Sequence, residues 1–297
     1  MNRTDLAVEL NEGLQKASNR HKMGIAKVEK QNDKTPGIEV EKEHLQKEDI
    51  YLTTIRVTTK EGERALGKPM GEYITIEAPR LQKETYYMGE EGREKVSDCL
   101  CAQLEKLVKG KQTNSRTQTK RILIVGLGNR KITSDSLGPK VVDHLMATGH
   151  LQKIMPENEL PKEMWEVFTI APGVMAQTGM ETVAIVKGIA TELEPALICV
   201  IDALTAWETK RLGTTIQIAD TGIAPGSGVG NHRNAFDEAS LGVPVLALGV
   251  PTVIEAKSML EEKLGEALYV TPGNIDELME RLVQVIAGGL NRYLLGA

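Results

Sequence analysis

Residues 121–145, RILIVGLGNRKITSDSLGPKVVDHL, set the architecture of this chain. RILIVGLGN is short, apolar and β-branched, as a buried strand is. It leaves through a glycine-containing loop into GPKVVDHL. There Pro139 can open a helix, and Val141, Val142 and Leu145 give it an apolar face. The same grammar recurs in EVFTIAP, ALICVIDAL, TTIQIAD and VPVLALGVP, all bounded by small, polar or turn-forming residues. Short runs of this kind predict an α/β fold with a buried sheet and crossover helices from about residue 118 onward.

Upstream, IYLTTIRVTT and GEYITIEA read as half-buried strands, and EGERALGKPMG between them as a turning connector. Residues 90–109 predict a helix with Val96, Leu100, Leu104 and Leu107 on its apolar face. A closing helix near 274–290 carries Leu278, Leu282, Val285 and Ile286. Residues 1–48 are polar and read as a partly disordered extension. Within them TDLAVE marks the start of a short helix with Thr4 or Asp5 as its cap.

The chain has 297 residues, 41% hydrophobic and 26% charged, with 36 Lys plus Arg against 41 Asp plus Glu. A net charge of −5 offers no electropositive footprint for nucleic acid. No run approaches about 18 uninterrupted apolar residues, and no signal-peptide core is visible, so a cytoplasmic protein is expected. Cys99, Cys101 and Cys199 make no disulfide framework, and the C-x-C spacing is not that of a zinc or redox loop.

Catalytic groups in open α/β sheets gather at the carboxyl ends of strands. Asp202 follows the run LICVI directly, and Asp135 lies in the loop that leaves the RILIVGLG strand. Asp220 ends another strand and precedes TGIAPGSGVGN, with four glycines in nine residues. A dinucleotide fingerprint would need glycine at Lys131, a phosphate loop would need a G-K-[ST] ending, and neither G-x-S-x-G nor HExxH is present. Two carboxylates held close share a proton, so one can activate water while the other protonates the leaving group. The same oxygens could instead hold a divalent metal, and each aspartate alone could be a helix cap or turn stabiliser.

Several ordered blocks resemble the germination protease family, spore endopeptidases that degrade small acid-soluble spore proteins. They are RTDLAVE at 3–9, ALGKPMGEYITIEAP at 65–79, VGLGN with TSDSLGP at 125–139, APGVMAQTGMET at 171–182 and VIDAL at 200–204. The series continues with TTIQIADTGIAPGSGVGN at 214–231, LGVPVLALGVPTVIEA at 241–256 and VTPGNIDELMERL from 270. The resemblance implies catalytic Asp135 and Asp202, without metal or other cofactor. It also implies a three-layer αβα fold like that of hydrogenase-maturation peptidases, with a smaller β-containing region. Further implications are a homotetramer in the spore core, no membrane or nucleic-acid partner, and a zymogen that cleaves its own Asp5–Leu6 bond. The expected division is a propeptide at 1–5, an extension at 6–48, the smaller region and a linker helix at 49–117, and the catalytic domain at 118–297. Gly128, Asn129, Gly226, Gly228 and His232 are expected substrate contacts.

Three departures accompany the resemblance. Four residues precede Asp5, fewer than in the familiar propeptide, so a weak or differently arranged inhibition is expected. The stretch between VIEA and VTP is short, and Arg130 follows Asn129 where the family reads GN-W. A hydrogenase-maturation-like peptidase that recognises bound nickel, and a non-catalytic peptide-binding relative, stay open as alternatives.

Overall fold

A computed structural model of the chain describes residues 4–23, 35–81, 90–112, 120–151, 154–155, 159, 161, 163–225, 234–256 and 268–296. The strands are β1 (Ile38–Leu45), β2 (Ile50–Val57), β3 (Gly71–Glu77), β4 (Arg121–Gly126), β5 (Glu166–Ile170), β6 (Leu197–Ala206), β7 (Thr215–Ala219), β8 (Val245–Glu255) and β9 (Tyr269–Val270). The helices are α1 (Ala7–Met23), α2 (Lys60–Leu66), α3 (Glu90–Gln112), α4 (Leu137–Asp143), α5 (Met175–Thr178), α6 (Thr182–Leu193), α7 (Glu238–Leu241) and α8 (Ile275–Leu295).

All the strands join one sheet in the order β1-β2-β3-β7-β8-β6-β4-β5, with β9 on β8. β5, β4, β6 and β8 are parallel, as their βα sequence pattern predicts. The rest is not the crossover sheet expected. β7 runs antiparallel to β8, and β3 continues antiparallel beyond it, so the segment 50–77 extends the same sheet.

One face of the sheet packs Ile122, Ile124, Cys199, Ile201, Leu246 and Leu248 against α3, α4 and α8 through Leu100, Leu104, Val141, Leu282 and Ile286. The other face has two patches. Leu123, Val125, Ile198 and Val200 meet Val186 and Ala190 of α6 and Leu241 of α7. Farther along, Ile55, Tyr73, Leu204 and Ala219 meet Leu66 of α2 and the segment Leu6–Val8. Helices on both faces give the three-layer αβα arrangement. Leu100, Leu104 and Leu282 are at most 1% exposed, and each contributes about 1.5–3 kcal/mol by burial.

Three local expectations are corrected. Among the described residues of the amino-terminal stretch, the short helix expected is the 17-residue α1, and Ile38–Leu45 form the strand β1, which was not expected. β1 hid from a hydrophobic reading because it is an edge strand, held by backbone pairing to β2 while Glu41, Lys42, Glu43 and His44 face solvent. The connector between β2 and β3 contains α2, whose first turn is capped by the Thr59 hydroxyl accepting from Gly62 N at 3.1 Å. Asp5 does not cap α1, because its carboxylate goes to Thr205 instead.

Candidate active site

β4 stops at Gly126, opposite Ile201, whereas β6 runs on to Ala206. Asp202 is therefore inside β6 and does not end it. It is the first residue of β6 beyond the end of β4, so it gains the opening that a true strand end would give. On its other side it stays paired with Gly249 of β8. Asp202 is 6% exposed, and its Oδ1 accepts from Ala203 N at 2.9 Å.

Asp135 closes a short 3-10 turn, Thr133–Asp135, in the loop between β4 and α4. Leu127 N donates to the Ile201 carbonyl at 2.8 Å, which sews the start of that loop to β6. Gly128 follows with φ +115, and a Cβ there would collide with the Asp135 carbonyl. Asn129 N then donates to Asp135 Oδ2 at 2.8 Å. From β8, the buried Thr252 hydroxyl donates to the Ser134 carbonyl at 2.6 Å. Two strands and a glycine thus fix where Asp135 sits.

Asp135, Asp202 and Asp5 line one cavity of about 460 Å³, together with Gly128, Ser134 and Thr252. The chain brings together the two aspartates expected to be catalytic and the residue before the expected cut. Asn129 holds the loop: its Oδ1 accepts from Gln177 Nε2 of α5 at 2.8 Å and from Lys131 N at 3.0 Å. Gly226, Gly228 and His232 lie outside the described residues. Asp220 fastens β7 to β3, with Oδ1 accepting from Glu72 N at 2.7 Å. Burial pushes the Cys199 thiol up to about 12 and that of Cys99 up to about 11, so neither is poised as a nucleophile. Among the described residues, no group of three or more His, Cys, Asp or Glu could hold a metal ion, and no helix is long and apolar enough to cross a membrane.

The segment Thr4–Glu9 is docked by backbone and buried side chains. Asp5 N donates to the Thr205 carbonyl at 3.0 Å, and Thr205 N donates to Asp5 Oδ2 at 2.9 Å. Gln217 Nε2 donates to the Asp5 carbonyl at 3.1 Å, and its Oε1 accepts from Ala7 N at 2.7 Å. Leu6 and Ala7 are fully buried. Glu9, also fully buried, accepts from Trp207 N at 2.7 Å and Glu208 N at 2.9 Å. Arg211, 1% exposed, sits among Glu9, Glu12, Glu77 and Glu208.

Asp5 also faces a second cavity, of about 210 Å³, lined by Lys68, Tyr73 and Gln217. Desolvation lowers the Lys68 pKa, and the charge of Asp5 works against that. Sequence reading missed Gln217, Thr205 and Arg211. The one available signal was a glutamine inside the otherwise apolar run TTIQIA.

The family model described as germination protease matches residues 13–264. The chain is 37% identical to a germination protease of Clostridium perfringens, over 97% of this chain and 94% of that one. Identity to the germination protease of Bacillus subtilis is 40%, over 88% of this chain and 65% of that one. Among solved structures, a NiFe hydrogenase maturation protease from Thermococcus kodakarensis matches with TM-score 0.33 and 20% identity, over 60% of this chain and 96% of that one.

Proposed function

The chain belongs to the germination protease family, a family of protein-cleaving hydrolases, and from that premise we propose that Asp135 and Asp202 are its catalytic pair. Its substrates are small acid-soluble spore proteins in the spore core, and its first substrate is its own Asp5–Leu6 bond. Met1–Asp5 is then a propeptide, and the working form is a homotetramer.

One observation carries this reading: Asp5, the residue before the bond, shares a cavity with both aspartates. Two carboxyl groups in one confined site favour a single shared proton. The ionised member takes a proton from water as its oxygen adds to the Asp5 carbonyl carbon. The protonated member supplies the proton that Leu6 N needs as the C–N bond breaks. Leu6 N donates its own hydrogen to the Thr4 hydroxyl at 3.0 Å, and its lone pair becomes available for the incoming proton once water addition makes the Asp5 carbonyl carbon tetrahedral and ends the amide conjugation.

The test is intact-mass analysis of purified wild-type, Asp135→Asn and Asp202→Asn chains held at mildly acidic pH. Wild type is expected to yield a species that begins at Leu6, and both variants to stay whole while keeping their fold. Cleavage by both folded variants at the wild-type rate removes the aspartates from the chemistry.

A further inference from the structure

We infer that Gln217 grips the carbonyl of the bond to be cut and stabilises the charge that develops on its oxygen. The inference rests on the aspartate reading above and adds a residue to it. Gln217 in β7 pairs with Gly249 in β8, and Gly249 pairs with Asp202 in β6. Directly paired residues point to the same face, so Asp202 and Gln217 lie on one face of the sheet, two strand spacings or roughly 10 Å apart. The residue between them has no side chain. The segment Asp5–Ala7 is held on this face.

The Gln217 amide spans Leu6, from the carbonyl of the Asp5–Leu6 peptide to the N–H of the next one. Its Nε2 meets the carbonyl oxygen before the bond, and its Oε1 takes the N–H of Ala7, one residue after it. Those two partners fix the amide's orientation, since a carbonyl can only accept and an N–H can only donate. A donor is therefore aimed at the oxygen that becomes negative when water adds to the carbonyl carbon. A donor already in place stabilises that charge more than it stabilises the resting amide. Gln217 gives up no proton: the C–N bond breaks, Leu6 N is protonated, and the oxygen held by Gln217 stays in the new carboxylate.

Gln217 is 8% exposed in a strand whose neighbours Ile216 and Ile218 are fully buried. A buried amide is costly without partners, and here the docked peptide supplies both. Both contacts are to backbone atoms. Any extended substrate can make them, so Gln217 sets register and rate, while side-chain preference comes from elsewhere.

The test compares full-length wild type, Gln217→Glu and Asp135→Asn in self-cleavage, and in turnover of a peptide containing TDLAVE. Glutamate keeps the size of glutamine and the acceptor for Ala7 N, and it loses the donor. Gln217→Glu is expected to lower kcat by about 10²- to 10³-fold with KM within a few fold of wild type. Wild-type kcat in a folded Gln217→Glu chain overturns the inference, as does a raised KM with unchanged kcat. If Gln217→Glu does not fold, Gln217→Met decides by the same criteria. An inactive Asp135→Asn beside a fully active Gln217 variant sinks this inference alone, whereas an active Asp135→Asn sinks the aspartate reading beneath it.

Discussion

Asp5 and Thr205 exchange two hydrogen bonds: Asp5 N donates to the Thr205 carbonyl at 3.0 Å, and Thr205 N donates to Asp5 Oδ2 at 2.9 Å. The ring they close lies just past the register shift between Leu204 and Thr205, where β6 breaks step with β8. Thr205 stays paired with Val253 of β8 past that shift, and its N–H and carbonyl meet Asp5 along the edge of β6 that the end of β4 at Gly126 leaves open. The segment Thr4–Glu9 is thus held at Asp5 by main-chain groups of the same strand that carries Asp202.

Replacing Asp5 by alanine leaves the buried Thr205 N–H without this acceptor, at a cost of about 1–3 kcal/mol. The Thr205 amide is expected to exchange hydrogen faster by roughly tenfold or more, because each 1.4 kcal/mol of opening free energy is tenfold. Self-cleavage is expected to slow in parallel. Unchanged Thr205 exchange in Asp5→Ala would show that the carboxylate does not anchor the segment.

Glu9 predicts a pH dependence of definite sign. Burial raises its pKa, and the hydrogen bonds from Thr4, Trp207 and Glu208 and the charge of Arg211 oppose that without cancelling it. A raised folded value means that the native state binds more protons than the unfolded chain in this range. The contribution is fully present below the ordinary value of 4.5 and is lost as pH rises through the raised one. Neighbouring Glu208 is shifted the other way, chiefly by its hydrogen bond with Lys210, so the comparison must be with Glu9→Gln, which retains Glu208. Thermal unfolding from pH 4 to 7 is expected to show wild type losing ground to Glu9→Gln as pH rises. A gap that widens in favour of wild type would reverse the assigned sign.

How much of this was legible beforehand depends on which force holds each element. α3, α8 and the parallel strands are held by apolar burial, which leaves a periodic record, and Val96, Leu100, Leu104 and Leu107 were readable as one face of α3. β1 is held by backbone hydrogen bonds at a sheet edge, which leave no such record. Asp135 and Asp202 stood out as acids beside apolar strands. Gln217 and Thr205 did not, because their partners lie more than 195 residues away, at Asp5 and Ala7. The extent of β6 was misjudged for a related reason: a strand that outlasts one neighbour and stays paired with the other has no turn signal at the step.

Gly128 fixes the Asp135 loop, and alanine there is doubly disfavoured. The backbone has φ +115, and the new Cβ would meet the Asp135 carbonyl, a backbone atom with little room to retreat. Gly128→Ala is expected to lower self-cleavage by about 10²-fold through misplacement of Asp135. Its melting temperature should fall much less. Thr252→Val tests the other support by removing the hydroxyl bonded to the Ser134 carbonyl, with Thr252→Ser as the control that restores it. Equal activity of all three chains and wild type would show that the loop's position does not govern the reaction.

Arg281 is the clearest place to gain stability. It lies in α8 with 5% of its surface exposed, and among the described residues its Nε and both terminal nitrogens have no hydrogen-bond partner. A guanidinium carries five donors and cannot shed its charge, so burial without partners costs free energy that its packed stem only partly offsets. Methionine keeps an unbranched side chain to pack in the same space and removes the charge. Arg281→Met is expected to stabilise the chain by about 1 kcal/mol or more, because well-packed apolar replacements of buried ionic groups are often stabilising by about 1–4 kcal/mol. Urea unfolding of both chains at one protein concentration checks it, read as a change in midpoint at constant slope. A destabilised Arg281→Met would show that this arginine has a stabilising partner beyond the described residues, and sedimentation of wild type and variant side by side would show whether that partner comes from a second copy.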